Sequence, residues 1–334
     1  MLRLFVLLVL SSGVVAKCVN EEGEARSWFL MLKMPGGYDY LYADNVEGEL
    51  KKGSYKLTDK ENPAGRVLEP IYSDADHGTN FIVYNDQVPD GSVTTCRGHT
   101  KGAVIWNDDS SIQWLIHSVP NFPPQKEKGY SFPATAERFG QSILCIDMEE
   151  KALGLITEHL YYTWPMIYNS SVSEKYTDNI QYLDLVLHGK HVKGAPWVKI
   201  QEFETAEQDM KFTAFAKTGE FGSDLYKDVI APHLQENMYT ETWQNGRGRI
   251  PSNCSGDTAV YNNVKMKLLD REYTETQDHS KWAVTDQGHL CVGGINRMSS
   301  QFTRGGGSLC FKAGEVWKQM LHGIQLYEEC QEHM

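Results

Sequence analysis

The chain has 334 residues, 41% of them hydrophobic and 11% aromatic, enough for a sizeable core in one large domain or in two of about 150 residues. No low-complexity tract or block of like charge occurs, which excludes a largely disordered chain. A net charge of −12 at pH 7 predicts repulsion from nucleic acid and anionic lipid at neutrality, so a polyanionic substrate demands conditions that lower that charge.

The N-terminus, MLRLFVLLVLSSGVVAKC, reads as a secretory signal over residues 1–16. Arg3 is the positive region, Leu4 to Leu10 the apolar core, and Val14 and Ala16 fit the small-residue cleavage rule. The apolar run is too short to span a bilayer, so a soluble protein in the secretory pathway is expected. Its cysteines are Cys18, Cys96, Cys145, Cys254, Cys291, Cys310 and Cys330. An oxidising compartment favours disulfides, the odd count leaves at least one thiol over, and the sequence alone leaves the pairing open. Neither C-x-x-C nor H-E-x-x-H occurs, so no metal or cofactor is expected. Asn169 (NSS) and Asn253 (NCS) head glycosylation sequons.

Strand signals begin after His99 with GAVIW and SIQWLIHSV. A helix is expected over 134–144, ATAERFGQSIL. Residues 149–178 carry the weakest pattern, and a boundary near 165 separates halves 17–165 and 166–334. LHGKHVKGAPW, residues 187–197, reads as a solvated basic turn. GSDLYKDVIAPHLQEN, 222–237, reads as a helix with Ser223 or Asp224 as N-cap. WAV, HLCVGGI and SLCFKAG follow as strands. AGEVWKQMLHGIQLYEEC is expected to close the chain as a helix with Val316, Met320, Ile324 and Leu326 near one face. Alternating strands and helices indicate a layered α/β fold, with most Trp and Tyr residues in its core.

The densest chemistry lies in DHSKWAVTDQGHLCVGGINR, residues 278–297. His279 and Lys281 stand two apart, so an extended chain points both to one face. Asp286, Gly293-Gly294 and Asn296 follow, and glycines permit close backbone approach to a ligand. His-x-Lys triplets also occur at His99, His188 and His191, but the one at 279 alone has this continuation. The triplet at 99 precedes a strand-like run about half a chain length away, which suggests two related halves meeting at one site. Phosphodiester cleavage then divides naturally. One imidazole attacks phosphorus, the other protonates the leaving oxygen, and two ammonium groups stabilise the non-bridging oxygens without a metal.

The pattern at His279 resembles the signature of the phospholipase D superfamily. The whole mature chain is similar to deoxyribonuclease II, on RGHTKGAVIW, WLIHSVPNFPP, FGQSILC, KFTAFAKTGEFGSDLY, IPSNC, DHSKWAV, CVGGINR and QFTRGGGSLC. The resemblance implies two phospholipase-D-like α/β halves forming an intramolecular pseudo-dimer. It implies metal-independent cleavage of DNA in acid, leaving 3′-phosphate and 5′-hydroxyl ends, with His99, Lys101, His279 and Lys281 catalytic. It implies Cys18–Cys145, Cys254–Cys330 and Cys291–Cys310 pairs, with Cys96 a small buried thiol, and a lysosomal or secreted protein. The first motif departs from the pattern: Trp106 matches Asp286, followed by Asn107 and Asp108, and Gln113 matches Gly293. Asn296, Arg297 and Arg304 are candidate phosphate contacts, against a glycine-rich turn with a solvated arginine. His117 has a supporting or a structural role. The alternatives are a secreted non-catalytic or toxin-like DNA-binding relative and a lipid-directed phospholipase.

Overall fold

In the first strand the side chains alternate between two apolar layers. Trp28, Leu30 and Leu32 face one core, and Phe29 and Met31 face another. That period of two, apolar on both sides, marks the strand of a covered sheet. The computed structural model describes residues 17–73, 78–108 and 111–331; the expected signal, residues 1–16, lies outside them.

The first sheet holds β1 (Trp28–Lys33), β2 (Tyr40–Asp44), β3 (Lys51–Lys52), β4 (Asn80–Asn85), β5 (Lys101–Trp106), β6 (Ile112–His117), β7 (Gln141–Met148) and β8 (Ile167–Ser171). Its spatial order is β3-β2-β1-β7-β6-β5-β4-β8. The second holds β9 (Val198–Glu204), β10 (Lys211–Lys217), β11 (Met238–Glu241), β12 (Val260–Leu268), β13 (Arg271–Thr274), β14 (Trp282–Thr285), β15 (His289–Gly293), β16 (Gly306–Lys312) and β17 (Ile324–Glu328). Its order is β13-β12-β11-β14-β15-β16-β10-β9, with β17 on β12. The run β4-β5-β6-β7-β1-β2 therefore repeats as β11-β14-β15-β16-β10-β9. The last strand differs in one respect, since β2 follows β1 in the chain whereas β9 precedes β10.

The inner faces of the two sheets share one core. Trp28, Val104, Trp106 and Trp114 of the first lie in one cluster with Phe212, Trp282, Val292 and Phe311 of the second. Trp28 and Phe311 meet edge to face at 5.1 Å. Helices α1 (Pro63–Tyr72), α2 (Leu153–Thr163), α3 (Glu174–Asn179), α4 (Leu183–Leu187), α5 (Ala231–Leu234) and α6 (Glu315–His322) flank the sheets. Helix α1 covers the outer face of the first sheet through Val67, Leu68 and Ile71. A π-helical turn, Tyr226–Ile230, leads into α5 and covers the second.

Two expected helices are corrected. In 134–144 only Ala134–Ala136 makes a 3-10 turn, and β7 begins at Gln141. Its residues pair on both sides, with β1 and β6, so sheet pairing overrides the local helical pattern. The closing helix stops at His322; Ile324 to Glu328 form β17, and Leu326 is 54% exposed. Gly323 makes the turn possible, since a Cβ there would sit 2.6 Å from Leu268 and 2.9 Å from the Lys267 carbonyl. Within the expected helix 222–237 the helical part is shorter, Tyr226–Ile230 and Ala231–Leu234, and Asp224 Oδ1 accepts from the Tyr226 N–H at its start.

The three disulfides form as the resemblance implied, Cys18–Cys145, Cys254–Cys330 and Cys291–Cys310. Cys96 is exposed rather than buried. Asn169 on β8 and Asn253 beside the second disulfide are both partly exposed.

Two buried histidines make the fold acid-sensitive. Burial pushes His117 and His159 down to about 3. An unfolded histidine titrates near 6.5, so the unfolded chain takes up protons first as the pH falls. Stability is full above about 6.5 and declines below it, by about 2 kcal/mol per ring between about pH 7 and pH 5. His159→Phe, which retains a ring against Trp114, is expected to lessen that decline by about 2 kcal/mol in urea titrations at the two pH values. An unchanged decline rejects this account.

Candidate active site

His99 and Lys101 enter β5, and His279 and Lys281 enter β14, at equivalent places in the two sheets. His99, Lys101 and Lys281 are buried, Lys281 at 0% exposure, and His279 is half-buried. What holds each histidine comes from the opposite half. The His99 N–H donates to the Gly305 carbonyl at 2.8 Å, and the His279 N–H to the Gly140 carbonyl at 2.9 Å. Gly305 directly precedes β16 and Gly140 directly precedes β7.

The rings are crossed in the same way. His99 Nδ1 donates to the Gly294 carbonyl, just past the end of β15. His279 Nδ1 lies 3.3 Å from the Ser118 carbonyl, just past the end of β6. A carbonyl only accepts, so His99 Nδ1 carries the proton and Nε2 of that neutral ring keeps its lone pair; His279 Nδ1 stands between the Ser118 carbonyl and the Lys281 ammonium, an acceptor and a donor. The glycine pair explains itself here: a Cβ on Gly294 would lie 3.0 Å from the His99 carbonyl, and one on Gly293 would lie 2.4 Å from the Gly307 carbonyl.

The residues beside the two rings differ in chemistry. Asn85 pairs with Lys101 and Glu241 with Trp282, so continuing the register makes Asp86 and Trp243 equivalent. Asp86 binds Lys101, stands 4.0 Å from His99 Nε2 and accepts from Arg304 at 3.0 Å. Trp243 stands 5.2 Å from the His279 ring, edge to face, and Phe139 packs on Trp243 at 4.9 Å. Arg304 and Phe139 are themselves equivalent, each preceding the glycine that holds the opposite histidine. One ring is thus backed by a charged series, Arg304–Asp86–His99, and the other by an aromatic one, Phe139–Trp243–His279.

Charge follows from that environment. Burial, then Lys101, pushes the His99 imidazole well below the ordinary histidine range, with Asp86 opposing. Burial, then Lys281, Lys101 and His99, pushes His279 down as well, with no carboxylate among its main influences. Burial drives Lys281 well below the usual lysine range. Burial works to raise Asp86, but Lys101, His99 and Arg304 outweigh it and keep it ionised. Lys281 Nζ donates to the His279 carbonyl and lies 3.1 Å from its Nδ1. Among the described residues no group of three or more His, Cys, Asp or Glu side chains is placed to hold a metal ion.

The other candidates fall in different places. Arg304 spans the centre, donating to Asp86 and to the carbonyls of Thr94, Arg97 and Gly98, so it organises the His99 loop. Asn296 Oδ1 accepts from the Trp243 N–H at 3.2 Å and so helps place that indole. Arg297 is not brought to the centre. It is 1% exposed, and its guanidinium pairs with Asp224, Asn262 and the Pro251 carbonyl. Asp286, the acidic residue of the motif, is exposed and bonded to Asn237 at a turn. His117 Nδ1 accepts from Val119 and its ring packs on Phe122, a structural setting. Of the basic turn, His188 is exposed, but His191 is buried and stacks on Trp164 at 3.7 Å. Asp86 and Trp243 escaped the sequence reading because only sheet register brings them beside the motifs.

Two α/β halves, each giving a histidine and a lysine to a shared buried centre, define the class of paired His-x-Lys proteins. Residues 17–330 match the deoxyribonuclease II family model. The chain is 32% identical to deoxyribonuclease-2-alpha of Mus musculus, covering 94% of this chain and 93% of the relative. It is 32% identical to deoxyribonuclease-2-beta of Homo sapiens, over 96% and 93%, and to plancitoxin-1 of Acanthaster planci, over 98% and 96%. The chain belongs to the deoxyribonuclease II family. A solved phosphatidylserine synthase of Haemophilus influenzae is 13% identical with a TM-score of 0.31, over 69% of this chain and 62% of that one, too distant to bear on fold or function.

Proposed function

We propose that the protein is an acid endonuclease that hydrolyses DNA without a metal, leaving 3′-phosphate and 5′-hydroxyl ends, and that it digests DNA in lysosomes or in engulfed or apoptotic material. The observation that carries this reading is the crossed placement of the two imidazoles, each set against a carbonyl of the opposite half at one lysine-flanked centre, with an unprotonated Nε2 on neutral His99. His99 Nε2 attacks phosphorus as the bond to O5′ breaks, and His279 gives its proton to O5′. Water, deprotonated by His279, then attacks the phosphohistidine, releasing the 3′-phosphate and freeing His99. Lys101 and Lys281 stabilise the charge on the non-bridging oxygens.

The difference between the half-sites supports this assignment. N-phosphorylation of a ring whose Nδ1 keeps its proton makes an imidazolium, and Asp86 stands beside His99 to stabilise it. His279 has an indole in that place and cations around it, so its proton is readily given up. Quenching labelled enzyme in alkaline denaturant, where the phosphorus–nitrogen bond survives, and sequencing the phosphopeptide tests the assignment. Label on His279 reverses it.

Activity on plasmid is expected to persist in excess EDTA, because two ammonium groups stand where a metal would act. End-labelling of the products checks the 5′-hydroxyl. Loss of cleavage that magnesium restores rejects the mechanism. A DNA-binding relative without catalysis is disfavoured by the intact His-Lys pairs, and the same assay detects it as retention without cleavage.

A further inference from the structure

Two buried lysines outside the motifs occupy equivalent positions. Lys33 is the last residue of β1 and Lys217 the last of β10. Each aims its ammonium at three backbone carbonyls. Lys33 donates to Met34, Glu137 and Phe139 at 3.0, 2.8 and 2.7 Å. Lys217 donates to Gln301, Phe302 and Arg304 at 3.2, 2.8 and 2.6 Å. Three donors meet three acceptors, so each ammonium is fully satisfied. Burial pushes both down to about 8, which still leaves them charged in acid.

The loops they bind are those that hold the histidines. Lys33 binds the carbonyl of Phe139, whose neighbour Gly140 accepts from His279 and whose ring backs Trp243. Lys217 binds the carbonyl of Arg304, whose neighbour Gly305 accepts from His99 and whose side chain holds Asp86. A buried cation strongly disfavours any loop movement that removes its acceptors. The fixed point of each half is thereby transmitted to the histidine of the other.

We propose that Lys33 and Lys217 are crossed positioning residues: Lys33 holds His279 for proton donation, and Lys217 holds His99 for attack. This rests on the proposed two-histidine reaction, but the positioning itself has a readout free of it. In hydrogen exchange of the intact chain, Lys33→Met is expected to speed exchange of the His279 amide by about tenfold or more and leave the His99 amide nearly unchanged. Lys217→Met should do the reverse. Loosening confined to the substituted half, or equal at both amides, overturns the proposal.

The second readout separates the two steps. Thymidine 3′-(4-nitrophenyl phosphate) releases an aryloxide that needs no proton, unlike the 5′-hydroxyl of DNA. Lys33→Met should slow DNA cleavage on the order of 10²-fold, the cost of misplacing a reacting group by about 1 Å, and slow nitrophenol release far less. Lys217→Met should slow both. Equal loss on both substrates from Lys33→Met, in protein that melts cooperatively, overturns the proposal as a general structural effect. Crossed exchange with the substrate pattern inverted retains the positioning and instead removes His99 as nucleophile. Lys33→Arg and Lys217→Arg keep the charge but place a planar fork where a three-donor tip is needed, so they should reproduce the same crossed pattern if the methionine variants fail to fold.

Discussion

Alanine at either His99 or His279 is expected to abolish nearly all DNA cleavage, with a loss on the order of 10⁴-fold or more from each single change. The double variant should be little worse, because nucleophile and acid act as one unit and removing either stops the cycle. Folding should survive. Burial and nearby cations favour the neutral form of each ring, and alanine keeps the backbone N–H that Gly305 or Gly140 accepts. The two variants should differ on the nitrophenyl substrate, where His279→Ala retains release that His99→Ala lacks. Initial rates on supercoiled plasmid, with urea denaturation of each variant beside them, check both statements. Activity within about tenfold of the parent for either variant, well folded, removes that residue from the chemistry.

The motif histidines and lysines were legible because their spacing is local. His-x-Lys puts two side chains on one face of an extended chain, and the structure places both pairs at strand entries. The glycine pair at 293–294 signalled close approach, but what approaches Gly293 is Gly307 of its own sheet and what approaches Gly294 is the backbone of the opposite half, at His99 and Thr100, which no local pattern reveals. Asp86, Trp243, Lys33 and Lys217 were invisible for the same reason. Each acts through register or loop contacts that join residues far apart in the chain. Asp286 shows the converse, since a residue in the right place in the motif belongs to a turn on the surface. The first half of β7, Gln141 to Leu144, reads as the end of a helix because its sequence lacks clean alternation once both faces are buried; its identity comes from β1 and β6 on either side.

The pH profile is expected to be a bell whose maximum lies well below the ordinary histidine value of about 6.5. Both motif imidazoles are held well below that value by burial and by cations. A lowered value means the ring gains its proton only at lower pH, so at neutrality both rings are neutral and the leaving O5′ has no proton donor. As the pH falls, one proton enters the pair, and the centre becomes active. Further acid adds the second proton, removes the attacking lone pair and closes the bell. The rings interact, so the two limbs belong to the pair and not to single residues. Bound phosphate raises both limbs by stabilising the cationic rings, so the maximum lies above the values of the free enzyme but still on the acid side of the histidine range. Substrate binding has the same direction. The chain carries −12 at pH 7 and has 11 histidines, so acid diminishes its repulsion of DNA while the exposed histidines gain charge. Affinity at the maximum should therefore fall steeply with salt. Asp86→Asn separates catalysis from binding. It removes the carboxylate that supports a cationic His99, so the acid limb should move to lower pH, and the rate should fall at every pH. Initial rates from about pH 3.5 to 8 at constant ionic strength test the whole account. A maximum at about pH 7 or above, with little cleavage near pH 5, contradicts both the electrostatics of the site and the proposed lysosomal setting.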